Sequence, residues 1–118
     1  MSREWHFYLN DMCEFAERVL QYTDSYTQEE FEQDRRTYDA TLRNIELIGE
    51  AASHIPIEIR TQNENIPWRQ LIATRNRIVH DYLGLDNDVL WSIIQTDIPQ
   101  LLHDLQKLSS GSPPSAAT

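Results

Sequence analysis

Apolar residues recur every three or four positions along most of this chain, which is the spacing of amphipathic helices. The pattern predicts a first helix from Glu4 to about Tyr22. Thr27 and Glu30 then have the spacing of a capping box, in which each residue satisfies a free backbone N–H of the opening turn. We therefore expect one long second helix to start there and to stop at Pro56, which lacks the N–H needed to continue it. Its apolar positions are Phe31, Tyr38, Leu42, Ile45, Ile48, Ala52 and Ile55.

Proline and glycine also divide the second half of the chain. The segment 57–60 is compatible with one more short turn of helix before a polar stretch. Pro67 suits the first position of a helix, where the N–H that proline lacks has no partner in any case. It opens a third helix, which we predict to close near Gly84, because glycine is the usual residue just after a helix end.

The last apolar segment follows Asp86, which can cap a fourth helix. Pro99 falls inside its apolar pattern, so we predict a kink or a break near Asp97. Residues 109–118 have no apolar period and are predicted to form a disordered tail. Because every periodic segment is helical, the predicted fold is all-α. We expect an up-and-down four-helix bundle with an extra short helix, in one domain over residues 1–108.

Composition narrows the possible functions. The chain has 118 residues and a formal net charge of −9, which argues against a protein that wraps nucleic acid along a broad basic face. Any RNA contact would be local, and an acidic surface also suits a basic partner. No apolar run approaches the roughly 18 residues of a membrane span, and the N-terminal residues do not resemble a signal peptide, so we expect a cytoplasmic protein. Cys13 is the only cysteine, and paired Cys/His zinc spacings are absent.

One charged residue occupies an apolar position of the predicted third helix. At about 100° per residue, the apolar residues of this helix fall within about 60° of Arg75. An unpaired guanidinium buried there would cost several kcal/mol, so the site must provide acceptors, water or a second subunit. Glu46 and Glu50, one turn apart on the second helix, are candidate partners.

A second, polar stripe lies on the same predicted helix. Arg69, Asn76 and His80 fall about 100° to 140° from Arg75, and Arg77 borders them. Asn76 and His80 are four residues apart, so they could bond to each other or share a small ligand. A single histidine near a helix C-terminus is more often a surface residue stabilised by the helix dipole than a catalyst. Spacing alone therefore gives only weak support for a functional polar site.

The spacing Arg75-x4-His80-x-Tyr82 resembles the Arg-x4-His-x-Tyr signature of HepT-like toxins in the HEPN superfamily. Two flanking segments resemble that family in the same order along the chain. The segment 44–51 is similar to its Gly-Glu-Ala segment, and 66–82 is similar to its Pro-Trp and Arg-Asn segments. The similarity extends from the first helix to about residue 105.

The resemblance implies a two-fold homodimer in which the motif helices face each other across a cleft. It also implies a metal-independent endoribonuclease that needs no cofactor and is the toxin of a type VII toxin–antitoxin pair. The implied partner is an MntA-like minimal nucleotidyltransferase antitoxin, which neutralises the toxin by transferring AMP onto the motif tyrosine, here Tyr82.

These implications assign a role to each polar residue of the motif. His80 would act as general base or acid on RNA, because an imidazole titrates near neutral pH. Arg75 would hold the scissile phosphate, and Asn76 would orient His80 or a phosphate oxygen. Arg69 and Arg77 of both copies would add the positive charge that RNA needs. The alternative function is a non-catalytic dimeric helical module that binds a nucleotidyltransferase and is modified by it.

Overall fold

The computed structural model describes residues 2–111, and these contain helices and turns but no β-strand. The all-α prediction is therefore confirmed over this range. Every helix within it is too short or too polar to cross a membrane. The helices are α1 (Ser2–Thr23), α2 (Gln28–Gln33), α3 (Arg35–Ala52), α4 (Ile57–Gln62), α5 (Trp68–His80), α6 (Asn87–Ser92) and α7 (Ile98–Gly111). A 3-10 turn, Tyr82–Gly84, follows α5, and a π-helical segment, Ile93–Asp97, joins α6 to α7.

The four longest helices pack side by side in the order α7, α1, α3, α5. Ring stacking of Tyr8 on His54 brings the start of α1 to the end of α3, so these two helices run antiparallel. The apolar residues predicted for the second helix are all buried between its neighbours. The core side chains with the least exposure include Leu9, Met12, Val19, Phe31, Leu42, Ile48, Ile55, Ile66, Ile94, Ile98 and Leu105.

The prediction of one long second helix is wrong, because the chain breaks it at Asp34. The Thr27–Glu30 capping box forms as predicted and starts α2. Asp34 then leaves the helical conformation, with φ −88° and ψ 89°, and its side chain accepts a hydrogen bond from the Thr37 amide. The same carboxylate accepts the Tyr26 hydroxyl at 2.6 Å. Asp34 therefore ends α2 and caps α3, although the apolar spacing of the sequence continues through this point.

Two predicted helix ends also differ from the structure. The helix α3 ends at Ala52 rather than at Pro56, which instead occupies the N-cap position of α4. The short helix predicted between the second and third helices is present, since α4 begins at residue 57. The helix α5 ends at His80 rather than near Gly84, so the motif tyrosine lies on the following 3-10 turn.

Pro99 changes the geometry of the last helix without breaking it. The sequence predicts a kink or a break near Asp97; the chain stays helical from α6 to α7, so no break occurs, and a π-helical segment lies at this place. There the Ile98 amide donates to the Ile93 carbonyl, five residues back. This wider turn accommodates Pro99, the next residue, which has no N–H to donate. Helix α7 continues to Gly111, beyond the predicted boundary at 108, and the Ser109 hydroxyl contacts Asn10 on α1. The rest of the predicted tail, 112–118, lies outside the described residues.

Helices α3 and α5 approach each other closely at Gly49. A Cβ built on Gly49 would lie 2.5 Å from the Leu71 carbonyl oxygen and would also collide with the Cβ of Arg75. Both atoms belong to the backbone or the base of a side chain, so neither can rotate away. Glycine is therefore required here for the two helices to pack at their present distance.

Replacing the Asp34 carboxylate should destabilise the chain in a pH-dependent way. The Tyr26 hydroxyl, followed by the Thr37 amide, holds the pKa of Asp34 below its ordinary value of 3.8. A lowered native pKa means that the carboxylate stabilises the fold above that ordinary value and loses this effect as pH falls through the native pKa. We expect Asp34→Ala to lower the urea midpoint at neutral pH, and the deficit to shrink in strong acid. Asp11→Ala, at an exposed position of α1, is the control and should change little.

Adding a methyl group at Gly49 should separate α3 from α5. We expect Gly49→Ala to lower the free energy of unfolding by about 1–3 kcal/mol, the usual cost of overpacking, as measured by urea denaturation. The control is Gly84→Ala, whose new methyl group would meet only the Asp81 carboxylate, a flexible group that can rotate aside. Equal effects of the two substitutions would contradict the proposed constraint.

Candidate active site

The Arg75 guanidinium is fixed between α3 and its own helix. Its Nη2 lies 3.1 Å from Glu50 Oε1, and its Nη1 donates to Asn76 Oδ1 at 2.9 Å. The side chain is half-buried, with 34% of it exposed. Its Nε is buried without a hydrogen-bond partner. Arg75 can therefore occupy an apolar position of α5, because Glu50, the residue after Gly49 on α3, provides a carboxylate for its guanidinium.

Glu50 links Arg75 to a second histidine. The Glu50 carboxylate also lies 3.4 Å from His54 Nε2, and the His54 ring stacks on Tyr8 with 4.5 Å between ring centroids. The other candidate partner, Glu46, does not reach Arg75 but pairs with Arg43 at 3.0 Å. Sequence analysis did not identify the His54 contact, although the i, i+4 spacing of Glu50 and His54 would have indicated it.

His80, the last residue of α5, is exposed to solvent. No hydrogen bond or ion pair of its imidazole occurs within the described part of the chain. Of the two possibilities that the spacing allowed, a direct bond between Asn76 and His80 is not made in the described residues, and the amide oxygen of Asn76 accepts from Arg75. Arg75 packs toward α3, whereas His80 points to solvent. Within one chain, the structure does not bring the guanidinium and the imidazole together.

The two remaining arginines of this helix are exposed. Arg77 forms a long ion pair of 3.9 Å with Asp81, which follows the helix end. Arg69 lies near the start of α5 and lines a surface cavity with Arg60 of α4 and with Glu64, which follows α4. Arg75 and Arg77 each have an acidic neighbour, so a single chain carries little uncompensated positive charge around His80.

Tyr82 is tied to the start of α3 by its hydroxyl group. The hydroxyl donates a hydrogen bond to Asp39 and accepts one from Arg35 Nη2 at 3.2 Å. The bond to Asp39, followed by burial, raises the pKa of Tyr82. The residue is half-buried, so its ring packs while its hydroxyl stays near the surface. Sequence analysis missed Asp39 and Arg35, whose only signal was opposite charge at i, i+4 spacing.

Metal-binding and thiol chemistry have little basis in the described residues. Among them, no three histidine, cysteine, aspartate or glutamate side chains converge in a group that could hold a metal ion. Cys13 is half-buried on α1, and burial raises the pKa of its thiol, so the thiol stays protonated at neutral pH.

An apolar groove runs along α5 on the side that faces α6, the π-helical segment and α7. Two adjoining cavities of about 320 Å³ and 340 Å³ form it, and both are lined by Thr74, Val89 and Ile93. The apolar walls also include Ile45, Ile48, Leu71, Ile78, Leu85, Leu90, Ile98 and Leu101. The motif helix therefore packs against α3 but leaves this side open.

Residues 12–108 match the family model described as "Ribonuclease HepT-like". A protein of Thermococcus cleftensis named "Probable ribonuclease HepT" is 36% identical over 108 residues, which cover 92% of this chain and 98% of that protein. A protein of Methanocaldococcus jannaschii, named as a putative RNase, is 31% identical over 89% of this chain and 96% of its own length. A longer protein of the same organism, named as a gamma-glutamylcyclotransferase and putative RNase, is 32% identical, and the match covers 49% of its length.

No solved structure matches this chain significantly. The family match includes all residues of the Arg75, His80 and Tyr82 motif and the α3 residues that hold them. By the extent of that match, the chain belongs to the HepT-like ribonuclease family.

Proposed function

We propose that this protein is a metal-independent endoribonuclease that cuts RNA in a cleft between two copies of the chain. The family match and the ribonuclease names of its relatives support the reaction class. The observation that carries the proposal is an exposed imidazole, His80, on the same helix as a guanidinium held in place by Glu50 and Asn76. These are the two groups that RNA cleavage through its own 2′-hydroxyl requires.

Each motif residue has a distinct task in this reaction. His80 removes the proton from the 2′-hydroxyl, and the imidazole of the second copy protonates the leaving 5′-oxygen. Arg75 binds the scissile phosphate and stabilises the charge that develops on it. Its ion pair with Glu50 is partly exposed, and pairs of this kind contribute only about 0–1 kcal/mol, so a phosphate can compete with the carboxylate. Asn76 keeps the guanidinium oriented during this exchange.

Two copies are needed because Arg75 and His80 of one chain point apart. Apolar surface beside His80 supports such an assembly, since Val79, Leu83 and Val89 are 45%, 93% and 55% exposed. A second copy that covered these side chains would remove apolar area from water and bring two motif helices together. The two sets of Arg69 and Arg77 would then add positive charge to one cleft.

The same proposal includes control by an MntA-like nucleotidyltransferase antitoxin, in a type VII toxin–antitoxin pair. Transfer of AMP to Tyr82 would add bulk and negative charge two residues after His80. The adduct would repel an RNA phosphate and obstruct its approach to the imidazole.

A second candidate function is a non-catalytic dimeric module that binds the nucleotidyltransferase and is modified by it. The acidic neighbours of Arg75 and Arg77 favour this candidate, because they reduce the charge available to RNA. This candidate predicts that replacement of His80 leaves the rate of RNA cleavage unchanged, whereas the nuclease proposal predicts a large loss.

Removing the imidazole should abolish cleavage. We expect His80→Ala to lower the rate of RNA cleavage by at least about a hundredfold, the usual contribution of general acid–base catalysis, and to relieve growth arrest in cells. His103→Ala, at another exposed histidine on α7, is the matched control and should cut RNA normally. Equal cleavage by the His80 variant and the wild type would defeat the nuclease in favour of the second candidate.

Mixing two inactive variants tests the composite cleft. Arg75→Ala and His80→Ala chains, co-expressed with different tags and purified as a mixed pair, retain one intact guanidinium and one intact imidazole. We expect the mixed pair to regain measurable cleavage, slower than the wild type because the second imidazole is missing, whereas each variant alone falls below this rate. Light scattering should give a dimeric mass. The shared site would be contradicted if the mixed pair regained no cleavage activity and light scattering gave a monomeric mass at every concentration.

Modification should be confined to one tyrosine. Incubation with an MntA-like nucleotidyltransferase and Mg·ATP should add AMP to Tyr82, located by peptide mass spectrometry, and should stop RNA cleavage. Tyr82→Phe should take up no AMP and stay active as a nuclease. Tyr38, the tyrosine whose ring packs edge-on against Tyr82, is an internal control, and an adduct there would contradict the assignment.

A further inference from the structure

A carboxylate and a guanidinium converge on the hydroxyl of Tyr82 from one face of α3. Asp39 accepts the hydroxyl proton, and Arg35, one turn earlier on α3, donates to the oxygen at 3.2 Å. The oxygen thus has a proton acceptor on one side and a positive charge on the other. Neither residue belongs to the Arg-x4-His-x-Tyr motif, and neither contacts Arg75 or His80.

Neighbouring residues hold this cluster in place. The Arg35 guanidinium lies over the Tyr38 ring at 4.1 Å, a cation–π contact. The Tyr38 hydroxyl donates to Asn87 of α6 at 2.6 Å, and the Tyr38 ring meets Tyr82 edge-on with 6.3 Å between centroids. Helix α3, the 3-10 turn and α6 therefore fix the orientation of Arg35 before any ligand arrives.

Another tyrosine of the chain provides a comparison. The Tyr26 hydroxyl also donates to a carboxylate, that of Asp34, at 2.6 Å. Its other partner is the Thr37 hydroxyl at 3.3 Å, a neutral group. Both tyrosines are half-buried and acid-bonded. The Tyr82 hydroxyl differs in that a guanidinium bonds to it directly, whereas Arg36 affects the Asp34 carboxyl through its charge. A guanidinium can bind a phosphate through two parallel hydrogen bonds.

We propose that Asp39 and Arg35 form the acceptor site for transfer of a nucleotidyl group to Tyr82, with Asp39 taking the phenol proton and Arg35 binding the transferred phosphate. This inference rests on the proposed modification of Tyr82 and extends it to two residues outside the motif. Asp39 acts on the reacting oxygen itself, whereas Arg35 acts on the incoming phosphorus group.

The transfer step balances with these two groups. The Tyr82 oxygen attacks the α-phosphorus of ATP and forms the new O–P bond. The bond from that phosphorus to the bridging oxygen breaks, and its electron pair leaves with pyrophosphate. The phenol proton passes to the Asp39 carboxylate, which is already its hydrogen-bond acceptor. Arg35 offsets the charge of the phosphodiester that results.

The protonation state of the Tyr82 hydroxyl explains why the transfer needs a proton acceptor. The bond to Asp39 raises the pKa of Tyr82, so the phenol keeps its proton throughout the physiological range. Arg35 acts in the opposite direction, and Asp39 and Arg35 are the charged groups that face this hydroxyl. After transfer, Tyr82 has no proton to donate, so Asp39 and the new phosphate repel each other and the adduct turns toward Arg35.

A chemical AMP donor tests this site without a partner enzyme. The full chain is treated with adenosine 5′-phosphorimidazolide, and the adducts at Tyr82 and Tyr26 are quantified by peptide mass spectrometry from about pH 6 to pH 9. We expect Tyr82 to react faster than Tyr26 and its rate to change little with pH, because the Asp39 carboxylate already accepts the hydrogen bond of the phenol. Faster labelling of Tyr26 would overturn the inference.

Asp39→Asn separates the charge of Asp39 from its role as an anchor, because the amide oxygen can still accept the Tyr82 hydroxyl. We expect labelling of Tyr82 near neutral pH to fall by about a hundredfold. The remaining rate should rise about tenfold per pH unit and approach that of the wild type near pH 9, since only phenolate then reacts. The melting temperature should stay unchanged. An unchanged rate at every pH would reduce Asp39 to an anchor of the turn and overturn the inference.

Two further variants complete the design. Arg35→Gln should slow labelling several-fold at every pH without altering the shape of the profile, and an unchanged rate would remove Arg35 from the site. Asp34→Asn makes the matched change at Tyr26 and should leave Tyr82 labelling as in the wild type. If the chemical donor labels Tyr82 in an Asp39-dependent way but an MntA-like enzyme with Mg·ATP does not, the acceptor site stands and the proposed regulation fails.

Discussion

The contact between α3 and α5 at Gly49 sets the geometry of the whole candidate site. It brings the backbone of α5 close enough for Arg75 to reach Glu50, so a cation at an apolar helix position finds a carboxylate at 3.1 Å. A larger side chain at Gly49 would move α5 outward, and the guanidinium would lose its partner while remaining partly buried. One small residue therefore fixes both the packing of the helix pair and the position of its charge.

Helix α3 carries the supports of both functional regions. Near its end, Glu50 holds Arg75, and near its start, Arg35 and Asp39 hold Tyr82. The end of α3 contacts α5 itself, and the start of α3 contacts the turn that follows α5, so the two helices run antiparallel. The rise from Asp39 to Glu50 is about 16 Å at 1.5 Å per residue. Arg75 and the Tyr82 hydroxyl are therefore held at separate places on one helix pair, and His80 lies between them in sequence.

Charge is arranged locally in this acidic chain. Arg75 of the motif and its neighbour Arg77 each have a carboxylate within 4 Å, which limits their field when the chain is alone. These pairs are partly exposed to solvent, so they contribute little to stability, and under the proposed function a phosphate would replace the carboxylate. A net charge of −9 is therefore compatible with a local anion site, provided that a second copy of the helix concentrates the cations.

The sequence by itself determined that the chain is helical and which apolar residues face the core, because apolar periodicity and capping side chains act over three or four positions. It also identified Arg75, with Glu50 as a candidate partner, since a charge in an apolar stripe requires one. Only the tertiary structure decided which partners are made. The break at Asp34 depends on Tyr26, the amide of Asn76 bonds to Arg75 rather than to His80, and Asp39 meets a hydroxyl far along the chain. These contacts join residues on different elements, or choose among near-equal local bonds, so they are fixed only when the helices pack.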